Sequence, residues 1–192
     1  MLVTRLRNQF HDNPKLYLHH ANVLETDLAQ WGPAVITGNL PYYITSPIVE
    51  RFLSLGPDFK RAVFLMQLEV ARRITAKPGS RDYGYLSVFA QLVSEVDTVV
   101  TVPPGAFSPP PKVDSAAVLF RRREVVPHLW RSVLKLASHA FAHKRKNLRN
   151  NLRPFYGAII DNLPEVNLRA EQLSVEQFIS LHDRLVSYTE TA

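Results

Sequence analysis

Ala34-Val-Ile-Thr-Gly-Asn-Leu-Pro-Tyr-Tyr43, followed after Ile44 and Thr45 by Ser46-Pro-Ile-Val49, is the stretch that decides the fold. An apolar, β-branched run, then Gly/Asn/Pro punctuation, then a Ser-Pro helix start predicts strand, tight loop and helix. That order puts Asn39 and Tyr42 at the carboxyl end of a strand. Open α/β sheets bind their ligands there, because loop residues project into the crevice beyond the strands.

Asn39-Leu40-Pro41-Tyr42 also carries a chemistry. The exocyclic amine of a nucleobase is a poor nucleophile, because its lone pair is delocalised into the ring. Methylating it calls for acceptors that favour the pyramidal, localised form. The Asn39 side-chain oxygen and the Leu40 carbonyl suit that task, Pro41 stiffens the loop, and Tyr42 offers a flat face for a base. The same four residues read equally well as a polar turn in which Asn39 caps Tyr43 or Ile44.

Working outward, Leu2, Leu6 and Phe10 recur at helical spacing, and Leu16–His19 reads as a short strand leading into Ala21–Leu24. Asn22, at the end of that strand, is then expected beside the crevice that Asn39 faces. Downstream, a helix is predicted over 46–54, and Arg61–Gln67 is apolar enough for a strand buried on both faces, as in a parallel sheet. Glu69–Ile74 and Gly84–Val93 read as helices on either side of a polar loop, and Val96–Val102 and Ala116–Phe120 as closing strands. This order predicts an α/β layer fold. Past Arg121-Arg122-Arg123 the strand pattern stops. Leu129, Val133, Leu136, Ala140 and Phe141 follow helical spacing, and helices are expected over Asn147–Leu152 and Leu168–Leu185. The predicted division is an α/β domain over 1–122 and a small α-helical domain over 123–192.

Charge is segregated along the chain. The net charge is +6, yet between Arg121 and Arg153 ten basic residues face one acid, so the rest is net acidic. Arg121, Arg122, Arg123, Lys144, Arg145, Lys146, Arg149 and Arg153 are the candidate contacts to a polyanion such as RNA. The absence of cysteine excludes disulfides, thiolate metal sites and cysteine nucleophiles, and fits a reducing, cytoplasmic setting. No run approaches the ~18 apolar residues of a membrane span. His139 and His143 lie four apart on a predicted helix, a spacing zinc can use, but no third ligand accompanies them and no metal is expected. No Gly-x-Ser-x-Gly elbow or P-loop is present, which removes acyl and phosphoryl transfer.

A second constellation, Phe107-Ser-Pro-Pro-Pro-Lys-Val-Asp-Ser115, crowds prolines around one aromatic residue. Proline fixes the backbone and offers no donor, so such a loop holds Phe107 at low entropic cost. Lying over the same crevice, Phe107 and Tyr42 would clamp a flipped-out base. An edge-of-sheet connection with Phe107 in the core is an equal reading. Gly38-Asn-Leu-Pro-Tyr-Tyr43, Gln67-Leu-Glu-Val-Ala-Arg-Arg73, Gly79-Ser-Arg-Asp-Tyr-Gly84, this proline-rich stretch and Phe141-Ala-His-Lys-Arg-Lys-Asn-Leu-Arg149 resemble, in that order, the KsgA-type rRNA adenine dimethyltransferases. The resemblance implies a Rossmann-like sheet, and transfer of two methyl groups from S-adenosylmethionine to N6 of two adjacent adenines of small-subunit rRNA in the 30S ribosomal particle. It implies that Asn39, Leu40, Pro41 and Tyr42 form the target-amine loop and that Phe107 helps stack the base. It also places Asn22 and Asn39 at the cofactor, with Asn22 where the family usually has an Asp.

The family's glycine-rich loop and following acidic residue are missing from this sequence, so an N-terminally shortened form with an incomplete sheet and weak cofactor binding is expected. That departure keeps a second reading open, a non-catalytic rRNA- or ribosome-binding assembly factor. An enzyme acting on a large-subunit adenine shares the chemistry, but the Pro-Pro-Pro-Lys-Val-Asp-Ser loop leans away from it.

Overall fold

The computed structural model describes residues 2–55 and 59–190, with side chains through 188. Four strands, β1 (Ala34–Asn39), β2 (Phe59–Gln67), β3 (Ser94–Val102) and β4 (Ser115–Arg122), form one mixed sheet in the order β1-β2-β4-β3. β1 and β2 run parallel, while β4 is antiparallel to both β2 and β3. The helices are α1 (Leu2–Gln9), α2 (Thr45–Leu53), α3 (Leu68–Thr75), α4 (Tyr85–Val93), α5 (Trp130–Ala140), α6 (Leu148–Tyr156) and α7 (Val175–Glu190).

The crossover from β1 to β2 carries α2, whose Ile48, Val49, Phe52 and Leu53 are buried at the spacing of one helical face. Phe52 lies against Phe59, Phe64 and Phe120 of the sheet, with ring centroids 4.4, 5.0 and 5.4 Å away. This aromatic cluster packs α2 onto the sheet. The core continues past Arg122 into the helical part. Phe89 of α4 stacks near Trp130 of α5, and Tyr83, Phe141 and Phe178 form a chain of ring contacts.

Three expectations are corrected. Leu16–His19 forms no strand. Among the described residues no strand lines the open edge of β1, and an extended segment without a neighbour has no ladder to satisfy its backbone groups. The helix expected over Leu168–Leu185 is broken: a 3-10 turn over Ala170–Gln172 precedes α7. Ser174 and Gln177 cap α7 reciprocally, at 3.2 and 2.8 Å. Finally, α5 ends at Ala140, so His143 falls in the turn beyond it and does not share a helix face with His139.

Candidate active site

The ladder of β1 against β2 ends with Leu40 N–H donating to the Leu65 carbonyl at 2.9 Å. Gly38 makes this ending possible. A Cβ there would sit 3.1 Å from Leu40 Cδ2 and 3.2 Å from Phe64 Cδ1, closer than side chains ordinarily pack. Pro41 holds the chain extended into a 3-10 turn over Tyr42–Ile44, and the Thr45 hydroxyl donates to the Pro41 carbonyl at 3.0 Å. Neither that turn nor α2 has a side-chain cap, so the turn-capping role for Asn39 is not the one observed. Asn39 is exposed, and among the described residues no hydrogen bond occupies its side chain or the Leu40 carbonyl.

The register of β4 brings the second constellation to this loop. Ser115 lies opposite Gln67, at the carboxyl end of β2, and is fully buried. Its hydroxyl is hydrogen-bonded to the Tyr42 hydroxyl. Leu68 N–H donates to the Asp114 carbonyl at 2.9 Å, which pins the end of the proline-rich loop to the start of α3. The result is a cavity of about 420 Å3, with Asn39, Leu40, Pro41 and Tyr42 on one side and Phe107 with Pro109, Pro110 and Pro111 on the other. That volume falls within the ~300–1,000 Å3 typical of small-ligand clefts.

A second cavity, of about 340 Å3, opens on the other side of the same loop, toward the free edge of β1. Val23, Leu28, Trp31, Ile36 and Phe64 line it together with Asn39, Leu40 and Pro41, so the Asn39–Pro41 segment is the wall between the two spaces. Asn22 does not line it. The Asn22 side chain is folded onto its own turn, accepting from Leu24 N–H at 3.0 Å and donating to Glu25 Oε1 at 2.7 Å. Its neighbour Val23 occupies the wall instead. Leu28, Trp31 and the tether Ser115 were not singled out from the sequence; the apolar pair carries no polar signature, and Ser115 was visible only as the end of the proline-rich motif.

The basic candidates divide by position. β4 runs from Ser115, beside Tyr42, to Arg121, opposite Arg61 at the amino end of β2. Six residues at ~3.3 Å each put about 20 Å between the two ends. Arg121, Arg122 and Arg123 therefore stand at the end of the sheet away from the cavities. Arg121 pairs with Asp97 at 2.6 Å, and Arg123 Nε donates to the Gln91 carbonyl at 2.8 Å. Arg149 and Arg153 converge on Asp161, at 3.1 and 3.7 Å. Lys144 Nζ donates to the Arg81 carbonyl at 2.8 Å. The next residue, Asp82, lines a cleft with Gln67, Lys112 and Asp114, which places Lys144 near the end of the proline-rich loop.

The model of the family described as ribosomal RNA adenine dimethylase matches residues 1–186. A "Ribosomal RNA small subunit methyltransferase A" of Rubrobacter xylanophilus is 40% identical over 178 residues, covering 88% of this chain and 67% of that protein. One of the same name from Hydrogenovibrio crunogenus is 40% identical over 195 residues, covering 94% and 72%. Among solved structures, a dimethyladenosine transferase from Plasmodium falciparum superposes with a TM-score of 0.77 at 24% identity, covering 92% of this chain and 74% of that one. The 23S rRNA methyltransferase ErmE superposes with a TM-score of 0.68 at 27% identity, covering 96% and 78%.

Proposed function

This chain belongs to the ribosomal RNA adenine dimethylase family, and on that premise we propose that it methylates N6 of two adjacent adenines in small-subunit rRNA of the 30S particle, with S-adenosylmethionine as donor. The observation that carries the reading is the cavity that Asn39, Leu40, Pro41 and Tyr42 share with Phe107. The binding-only reading has no comparable support, since the relatives found are named as methyltransferases.

The chain's own residues account for positioning and polarisation. A target adenine must leave its stack to be modified, and Tyr42 and Phe107 provide flat faces to receive it. The Asn39 side-chain oxygen and the Leu40 carbonyl, both without a partner among the described residues, accept from the N6 amine. Accepting those N–H bonds localises the nitrogen lone pair and relieves the positive charge that builds as the N–C bond forms. The surplus proton leaves to water, and holding the amine in line supplies much of the rate.

S-adenosylmethionine supplies an electrophilic methyl group on a sulfonium. The cavity beyond Asn39 is apolar apart from Thr37 and Asn39. It suits the adenine ring of the donor, and none of its lining residues carries a charge to meet the donor's ammonium and carboxylate. The helical part over 123–192 would dock the rRNA through Lys144, near the proline-rich loop, and its neighbours Arg145 and Lys146.

The test is methyl transfer into unmodified 30S particles at saturating donor, with RNA binding measured alongside. Asn39→Ala is expected to lose about 100-fold in turnover while RNA affinity is nearly kept. Equal loss of both would show that Asn39 supports the fold and not the reaction.

A further inference from the structure

A cavity of about 560 Å3 lies in the helical part, walled by α5, α6 and α7, and shares no lining residue with the Asn39 loop. At its rim the imidazole of His139 and the ring of Phe155 are stacked face to face, 3.7 Å apart and 5° from parallel. The imidazole is held from another side by a 3.2 Å hydrogen bond to the Tyr156 hydroxyl. Phe155 is nonetheless 55% exposed. With one face covered by His139, its remaining face is turned to solvent.

The charge in the cavity lining has one sign, and Asp183, 3.3 Å from His182 Nδ1, lies outside that lining. Lys135 lines the cavity, and no lining residue among those described is acidic. On the same helix the Arg131 guanidinium lies over the Trp130 ring at 4.5 Å. Burial, and then the nearby Lys135 ammonium, lower the His139 pKa below its ordinary value, which disfavours a second cation in the stack. Such a two-ring platform beside a cation that makes no ion pair among the described residues matches the way single-stranded nucleic acid is held, by base stacking with a cation on the backbone.

We propose that this cavity is a second RNA contact, in which an unpaired nucleobase stacks on Phe155 and the adjoining phosphate meets Lys135. The proposal rests on the reading of the chain as an rRNA-modifying protein, and it adds a contact outside the reacting site. Such a contact would seat a nucleotide of the substrate far from the target adenine, separating recognition of the RNA from recognition of the base. A segment of protein or a second copy of this chain would find the same apolar ring, but neither needs a lone cation beside it.

The probe is a fluorescein-labelled single-stranded oligoadenylate. Its affinity is read by anisotropy, and the site by the His139 imidazole proton signals in NMR. The native chain should show a shifted His139 signal on titration. Phe155→Ala should weaken binding about tenfold, Phe155→Tyr should keep it, and Phe155→Leu, which retains apolar bulk without a flat ring, should behave like the alanine variant. Lys135→Gln should lower the salt slope by about 0.7. Native affinity in Phe155→Leu, or an unmoved His139 signal, overturns the proposal. So does a native chain that self-associates through this face and loses only that association in Phe155→Ala. The His139 signal reports on this cavity and methyl transfer into 30S particles reports on the Asn39 loop, so failure here is distinguishable from failure of the methyl-transfer reading.

Discussion

The hydroxyl of Tyr42, on the loop after β1, is hydrogen-bonded to the hydroxyl of Ser115, the first residue of β4, across 73 positions of sequence. Ser115 is fully buried, so the bond anchors a half-exposed ring to the rigid end of the sheet. A ring that stacks on a base must keep its plane when the base arrives, and this tether holds it there. A hydrogen bond of this kind contributes about 0.5–1.5 kcal/mol. Tyr42→Phe and Ser115→Ala should therefore each lower kcat for methyl transfer about 2- to 10-fold, with KM for RNA little changed. The double variant should cost no more than either single one, the signature of one shared interaction. Fully additive losses would count against the tether.

Gly38 stands where a methyl group would press on Leu40 and Phe64. Overpacking of a filled site costs about 1–3 kcal/mol, and Gly38→Ala should lose that much in denaturant unfolding. It should also displace Leu40, whose carbonyl is proposed to accept from the amine, so turnover should fall more than stability alone explains. An unchanged denaturation midpoint would refute the close packing.

Salt dependence sorts the basic residues. Lys146→Ala and Arg145→Ala should each reduce the slope of log affinity against log salt for rRNA by about 0.7–0.9. Arg121→Ala should leave it unchanged, because that guanidinium pairs with Asp97 at the end of the sheet away from the cavities. Filter binding over a salt series reads both.

His139 gives the fold a pH dependence. Its pKa is lowered in the folded state, by burial first and then by Lys135, while Tyr156 and His182 also face the cavity it lines. The unfolded chain binds the proton more readily, so this residue's contribution is fully present above about pH 6.5 and is lost as pH falls from there toward the lowered folded value. His139→Gln should flatten that acid limb of the unfolding curve, and a limb of unchanged steepness would refute the assignment.

The cavity beyond Asn39, proposed above for the donor, offers apolar walls and no charged side chain. Calorimetric titration of this chain with S-adenosylmethionine should show no micromolar affinity, and transfer should need far higher donor concentrations. Micromolar binding would mean that the amino-acid end of the donor is held by groups outside that lining.

How much was legible from residues alone varies by element. The strand, loop and helix around Asn39 were readable because apolar runs, Gly/Pro punctuation and a Ser-Pro start are local signals. Leu16–His19 carried the same kind of pattern and formed no strand, because a strand exists only by pairing. Asn22 looked like a cavity residue by position, yet its own turn captured both ends of its amide. Arg121, Arg122 and Arg123 were legible as a basic cluster, while their distance from the Asn39 loop was not, because the antiparallel course of β4 decides it.

The order of residues by itself determined the chemistry available here: acceptors at Asn39 and Leu40, flat rings at Tyr42 and Phe107, and cations gathered between Arg121 and Arg153. Tertiary structure alone decided which of these meet. Strand direction and register are set by contacts between distant segments, and those bring Ser115 to Tyr42 while they send Arg121 away, although only six positions separate the two.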